Sequence, residues 1–172
     1  MNIAADGYTA GLIDGEGCLE VEDHTRNRRQ TFVLRLTIAL RADAVGILRL
    51  LHQQFGGNLY YKRVTDGQRE HMPGTNPKYH WRICARADVL RLIEYLDEYP
   101  LIIKAEEYKV WREAAMFYYR HAVIPARGRS NPPWLTGAMK AYDVELKRLK
   151  KFQAKGDELP RDFEIPQKSL FE

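Results

Sequence analysis

The chain has 172 residues, 45% hydrophobic and 29% charged, with 27 Lys and Arg against 23 Asp and Glu for a formal net charge of +4. This composition excludes wholesale disorder, the length suits one domain with its own core, and no apolar run approaches the roughly 18 residues of a membrane span. Residues 1–23 hold no Lys or Arg, unlike the charged start of a signal peptide, and two cysteines, Cys18 and Cys84, suit a reducing compartment; the expectation is a soluble intracellular protein.

In chain order, the spacing predicts a short Gly- and Ala-rich helix from Asp6 to Ile13, ending at the glycines around Glu16. Cys18 to His24 alternates apolar and polar residues as a half-buried strand does. After a polar turn, Phe32, Leu34, Leu36, Ile38 and Leu40 share one face of a long strand, with Thr31, Val33, Arg35, Thr37, Ala39 and Arg41 on the other. Ala42 to Phe55 reads as an amphipathic helix with Val45, Leu48, Leu51 and Phe55 on its apolar stripe, stopped by Gly56-Gly57. Asn58 to Val64 and Lys78 to Ala85 form a second strand pair around a loop holding Gly67, Pro73, Gly74 and Pro77. Helices follow at Asp88 to Leu96, Lys104 to His121 and Pro133 to about Phe152, and Trp81, Trp111 and Trp134 fall on apolar faces as core residues. A domain over 1–154 and a loosely held tail over 155–172 result.

The implied architecture is α+β, a four-stranded antiparallel sheet with helices on one face. Charge is segregated along it. Residues 1–23 carry six carboxylates and no basic group, and residues 24–41 carry five arginines and no carboxylate. The free sheet face holds Glu20, Glu22, His24, Val33, Arg35, Thr37, Ala39, Arg41, Asn58, Tyr60, Lys62, Lys78, His80 and Arg82, with Arg26, Arg28 and Arg29 at the hairpin turn. That polar, mostly basic strip is too wide for a small-molecule pocket. A two-stranded ribbon fits the DNA major groove, where Arg suits guanine, Asn adenine and Glu the cytosine amino group. A merely solvated sheet face is the competing interpretation. The five histidines have no metal-ligand spacing.

Thr9-Ala10-Gly11-Leu12-Ile13-Asp14-Gly15-Glu16-Gly17 resembles the LAGLIDADG motif of homing endonucleases, with six identities of nine and Glu16 replacing Asp conservatively. Thr9 and Gly15 are the other departures. Gly7, Gly11 and Gly15 lie four apart, so one helical face permits close approach of another helix. Asp14 and Glu16 fall where that helix ends, on a glycine-flanked turn. Two such helices side by side bring two carboxylates together, a repulsive pair unless it holds divalent cations. The order of elements through about Trp111 is similar to the family's, including Tyr99 to Trp111 as the start of its post-sheet helix. The segment Leu135 to Asp143 echoes the motif but places Lys140 and Tyr142 at the acidic positions, and it reads as core helix.

The resemblance implies an αββαββα core with a saddle-shaped antiparallel sheet and extra C-terminal helices. A single motif implies a homodimer, its interface at Gly7, Tyr8, Gly11 and Gly15, and therefore a pseudo-palindromic DNA site. The implied activity is a Mg²⁺-dependent double-strand break in a long site, with Mn²⁺ or Ca²⁺ able to replace Mg²⁺ for binding, and with no small-molecule cofactor and no membrane. Glu16 matches the metal-binding catalytic acid, and the Gly15 carbonyl is a further metal ligand by the same match. Asp14 is at the motif's other acidic position, a structural acid in much of the family and a catalytic candidate here. Lys104 matches an active-site lysine, with a helix-starting surface lysine as the alternative. Where the family often carries a polar side chain after the second strand, this chain has Ala42, and Arg41 beside it replaces that group or contacts phosphate. An origin in a mobile intron of a prokaryote or an organelle is also implied. The alternatives are an intron RNA-binding maturase and a DNA-binding relic without cleavage.

Overall fold

In a computed structural model of the chain, placement is described for residues 7–26, 29–64, 76–122 and 131–155. Among these residues five α-helices and four strands follow one another as α1 (Tyr8–Glu16), β1 (Gly17–Arg26), β2 (Arg29–Arg41), α2 (Val45–Phe55), β3 (Asn58–Lys62), β4 (Lys78–Ile83), α3 (Arg86–Glu98), α4 (Ala105–His121) and α5 (Pro133–Lys155). The strands form one sheet in the order β1-β2-β4-β3, and β4 pairs antiparallel with both β2 and β3. The α+β order read from the sequence is therefore the observed one.

Several boundaries differ. The first helix begins two residues later than predicted and continues through Glu16. Gly7 is its N-cap in the left-handed region, with φ of 66°, so it precedes the helical face that Gly11 and Gly15 share. Gly17 is extended and opens β1 directly, leaving no turn between the acids and the strand. Residues 42–44 form a single 3₁₀ turn before α2, and β3 and β4 each end two residues earlier than their alternation predicts. Gly67, Pro73 and Gly74 of the predicted loop, and the tail beyond residue 155, lie outside the described residues.

The chain divides into two compact units, residues 1–18 with 35–105 and residues 19–34 with 106–172, so β2 runs through both. In the first unit, Ile13, Leu36, Ile38, Leu48, Leu51, Phe55, Trp81 and Leu92 are fully enclosed. The corner from α2 to β3 is fixed by polar groups that burial would otherwise leave unpaired. The Trp81 indole donates to the Gly56 carbonyl at 2.9 Å, and the Gly57 N–H donates to the Asp88 carboxylate at 3.0 Å. Gly57 adopts φ +81°, and a Cβ there would lie 2.5 Å from the Arg82 carbonyl oxygen. A Gly57→Ala chain should lose about 1–3 kcal/mol of stability. Urea unfolding would register this as a lower midpoint at unchanged slope, and an unaltered midpoint would refute it.

In the second unit, Leu19, Val21, Phe32 and Leu34 are buried, as are Trp111, Ala114 and Ala115 of α4 and Leu135, Met139, Leu146 and Leu149 of α5. The Trp111 indole donates to the Glu20 carbonyl at 3.1 Å, and Lys150 Nζ donates to the Leu19 carbonyl at 2.5 Å, fastening both helices to β1. The segment echoing the motif is core helix, as its spacing predicts. Trp134 is not core: it is 41% exposed in the first turn of α5, edge-on to the rings of Phe117 and His121. Its place on the apolar stripe is real, but the stripe extends past the buried stretch that begins at Leu135.

Candidate active site and nucleic-acid interface

The motif helix ends with two carboxylates in opposite circumstances. Asp14 is 8% exposed, and both its oxygens are engaged. Oδ2 accepts the N–H groups of Ile102 and Ile103 at 2.8 and 2.9 Å, and Oδ1 accepts that of Lys104 at 2.8 Å. These three donors belong to the turn that leads into α4, where N–H groups have no helical acceptor and a negative charge is favoured. Burial pushes the Asp14 pKa up, but the three N–H groups and the Lys104 ammonium outweigh it and hold the carboxyl below the ordinary value. Two residues on, Glu16 is exposed as the last residue of α1, without a hydrogen bond or ion pair among the described residues.

Lys104 belongs with this pair. Its N–H reaches the Asp14 carboxylate, and its Nζ donates to the Asp14 main-chain carbonyl. The ammonium thereby sits at the C-terminal end of α1, where the last carbonyls lack intrahelical partners and a cation is stabilised. The structure thus brings Lys104 to the helix end that carries Glu16. Asp14, with both oxygens accepting main-chain donors, ties the two segments together.

Among the described residues no three His, Cys, Asp or Glu side chains gather as a metal-ligand set. What one chain offers is the exposed Glu16 carboxylate and the Gly15 carbonyl in the last turn of α1. These oxygen donors suit a hard divalent cation, although too few to bind one alone. On the same helix, Gly11 and Gly15 are exposed, and a Cβ on either would meet nothing within 4 Å. Beside the Asp14 tie, Ile102 and Ile103 are 87% and 66% exposed, an apolar pair that the sequence reading assigned no role.

The sheet face of the first unit is set by register. Thr37, Arg82 and Asn58 form one cross-strand row, Ala39, His80 and Tyr60 the next, and Arg41, Lys78 and Lys62 the third. The buried Ile38 and Trp81 alternate onto the opposite face. Arg82 Nη2 donates to the Tyr60 hydroxyl at 2.7 Å, and the Tyr60 and His80 rings stack at 5.3 Å. Burial, then the charges of Lys62, Arg82 and Lys78, lower the His80 pKa, favouring the neutral ring. Arg41 is paired with Asp43 at 2.9 Å, an exposed contact worth little. Arg35 is half-buried on the same strand.

In the second unit, Glu20, Glu22 and Val33 are half-buried and His24 is exposed, with His24 Nε2 3.2 Å from the Glu22 carboxylate. Arg28 lies outside the described residues, as do the side chains of Arg26 and Arg29. The bond from Arg82 to Tyr60 and the three donors on Asp14 escaped the sequence reading. The first is a diagonal neighbour across a hairpin and could have been found from register; the second spans about ninety residues and left no local trace.

The LAGLIDADG endonuclease family profile matches residues 9–115, well over half of the chain, and the chain belongs to that family. Its fold is that of the LAGLIDADG homing endonucleases. It is similar to the homing endonuclease I-TnaI, with 20% identity and a TM-score of 0.63 over 86% of this chain and 95% of that one. It is similar also to the archaeal intron-encoded homing endonuclease I-Vdi141I complexed with DNA, with 15% identity and a TM-score of 0.64 over 96% of this chain and 89% of that one. A third likeness is to I-SmaMI bound to uncleaved DNA target in the presence of calcium ions, with 18% identity and a TM-score of 0.59 over 100% of this chain and 54% of that one. No curated protein matches the sequence. Among the described residues, no helix is long and apolar enough to cross a membrane.

Proposed function

We propose that the chain is a homing endonuclease that, as a homodimer, makes a Mg²⁺-dependent double-strand break in a long pseudo-palindromic DNA site. The observation that carries this reading is the end of α1, where Glu16 is exposed with no partner among the described residues and an ammonium is tied to the same helix terminus. Each protomer contributes one Glu16 carboxylate and one Gly15 carbonyl to the metal sites. A divalent cation held there would supply an activated water and charge stabilisation of the leaving 3′-oxygen, with no covalent intermediate. Lys104 neutralises charge on the scissile phosphate, and Asp14 fixes where Lys104 stands. The basic rows of the sheet hold DNA through phosphates and base edges.

Three features support the homodimer. One chain offers too few donors for a metal site. It also spans 54% of I-SmaMI, so that two copies match one such protein in length. The exposed Gly11 and Gly15, with Tyr8, Ile102 and Ile103 exposed nearby in sequence or contact, provide a surface for a second copy. Because a Cβ at Gly11 meets nothing, Gly11→Arg should fold normally yet hold two motif helices apart. Sedimentation should give a monomer for this variant and a dimer for the wild type, with cleavage lost in parallel. A dimeric variant of full activity would remove the interface from α1.

The activity itself is tested by incubating the protein with a large, diverse duplex DNA library under Mg²⁺ or EDTA and mapping broken ends by sequencing. Ends recurring at one pseudo-palindromic site, in Mg²⁺ only, are expected. Binding to DNA or RNA without any recurrent ends would transfer the weight to a binding relic or a maturase.

A further inference from the structure

The three cross-strand rows of the sheet face differ in how firmly their cations are held, and the difference has a functional meaning. Arg82 is half-buried in the middle of the strand order, flanked by Thr37 on β2 and Asn58 on β3. Its guanidinium lies 5.2 Å from the centroid of the Tyr60 ring, and Nη2 donates to that residue's hydroxyl at 2.7 Å. Its Nε is enclosed and has no hydrogen-bond partner among the described residues, and no carboxylate there pairs with the charge. One hydrogen on Nη2 and both on Nη1 remain, which is the terminal fork of the guanidinium. Lys78 and Lys62, two rows away, are exposed ammonium groups on flexible stems.

We propose that Arg82 is a base-reading, specificity-determining residue that presents a pre-oriented fork to a guanine in the major groove, while Lys62 and Lys78 contact phosphates. This rests on the endonuclease reading given above. A planar fork matches guanine O6 and N7 together, the commonest specific arginine contact with DNA. Holding the guanidinium against Tyr60 before DNA arrives removes rotamer freedom that binding would otherwise have to restrict. The geometry of the rows agrees. Residues 78 and 82 are separated by four strand positions, about 13 Å. The major groove is about 12 Å wide. Lys62 and Lys78 therefore stand far enough along the strands from Arg82 for base edges and backbone phosphates to be met by different rows. The two rows divide the work between reading and holding.

The test measures binding of the full chain to its selected site and to every single-base-pair variant of that site, in Ca²⁺ so that cleavage does not intervene. Arg82→Lys keeps the charge and removes the fork. It should reduce discrimination for guanine at one position of each half of the site by roughly 10- to 100-fold, with other positions and the salt dependence unchanged. Tyr60→Phe, which removes only the hydroxyl, should loosen the same position to a smaller degree. Lys78→Ala should weaken all sequences alike and reduce the slope of log affinity against log salt by about one. If Arg82→Lys leaves every base preference intact, or weakens all sequences equally, the assignment is overturned while the endonuclease reading stands. If the wild-type protein selects no sequence at all, both fail together.

Discussion

Replacing Glu16 with glutamine is expected to lower DNA cleavage by about a hundred- to a thousandfold while DNA binding persists. The side chain is exposed and has no partner among the described residues, so its removal breaks no native contact. A carboxylate at the C-terminal end of a helix is disfavoured by the helix dipole. The glutamine variant should therefore be as stable as the wild type, or a few tenths of a kcal/mol more so. The Lys104 ammonium at the same helix end offsets part of that cost, so the expected change in stability is small. Single-turnover cleavage, equilibrium binding and thermal unfolding on the same samples would separate the three quantities. Undiminished cleavage would remove Glu16 from the chemistry.

Asp14 should behave in the opposite way. Asp14→Ala removes the acceptor of three main-chain donors at 2.8–2.9 Å. Each donor left without a partner in a buried place costs about 1–3 kcal/mol. With Ile102 and Ile103 reaching solvent, part of that is recovered by water, and a net loss of about 3–5 kcal/mol is expected. Against a typical total of about 5–15 kcal/mol, the variant stands near the limit of folding. Asp14→Asn is the more informative change, because it retains the shape and one oxygen but turns an amide N–H₂ toward a donor. It should be less destabilised than the alanine variant, and its cleavage should fall because Lys104 is no longer fixed.

The same residue gives stability a pH dependence of known sign. A carboxyl with a lowered folded pKa contributes stability that is complete above its unfolded value, about 3.9. That contribution is lost as pH falls through the folded value. Chemical denaturation of the wild type between pH 6 and the acid limit should therefore show a decline that the asparagine variant lacks. Parallel curves for the two proteins would mean that Asp14 is not the linked group.

Much of this was legible in the sequence where the determinants are local. Strand β2 alternates cleanly because one of its faces is buried at Phe32, Leu34, Leu36 and Ile38, and such burial imprints a period of two. The Gly56-Gly57 stop was visible because only glycine tolerates those positive φ values. Register could be inferred from the same alternation, so the cations of β3 and β4 were placed on the correct face. The end of α1 was less legible. Glycine at positions 15 and 17 reads as a turn by propensity, whereas Gly15 stays helical and Gly17 starts the strand. A long-range tie on Asp14 overrides that propensity, and no window of neighbouring residues contains it. Trp134 misled for a related reason: amphipathic spacing identifies a face, and only the packed structure decides how far along the helix that face is covered.

The three bonds to Asp14 close a loop of 88–90 residues. Contacts of that separation are entropically expensive to close and form late. On a ribosome, a nascent chain that has reached Tyr99 already contains Glu16 and every described strand, yet it lacks all three donors and Lys104. The lysine and the tie that positions it arrive within a few residues of each other, after the last described strand has been synthesised. A polypeptide stopped before residue 102 therefore carries Glu16 with neither the Asp14 tie nor Lys104, so the end of α1 is completed only after every described strand has been synthesised.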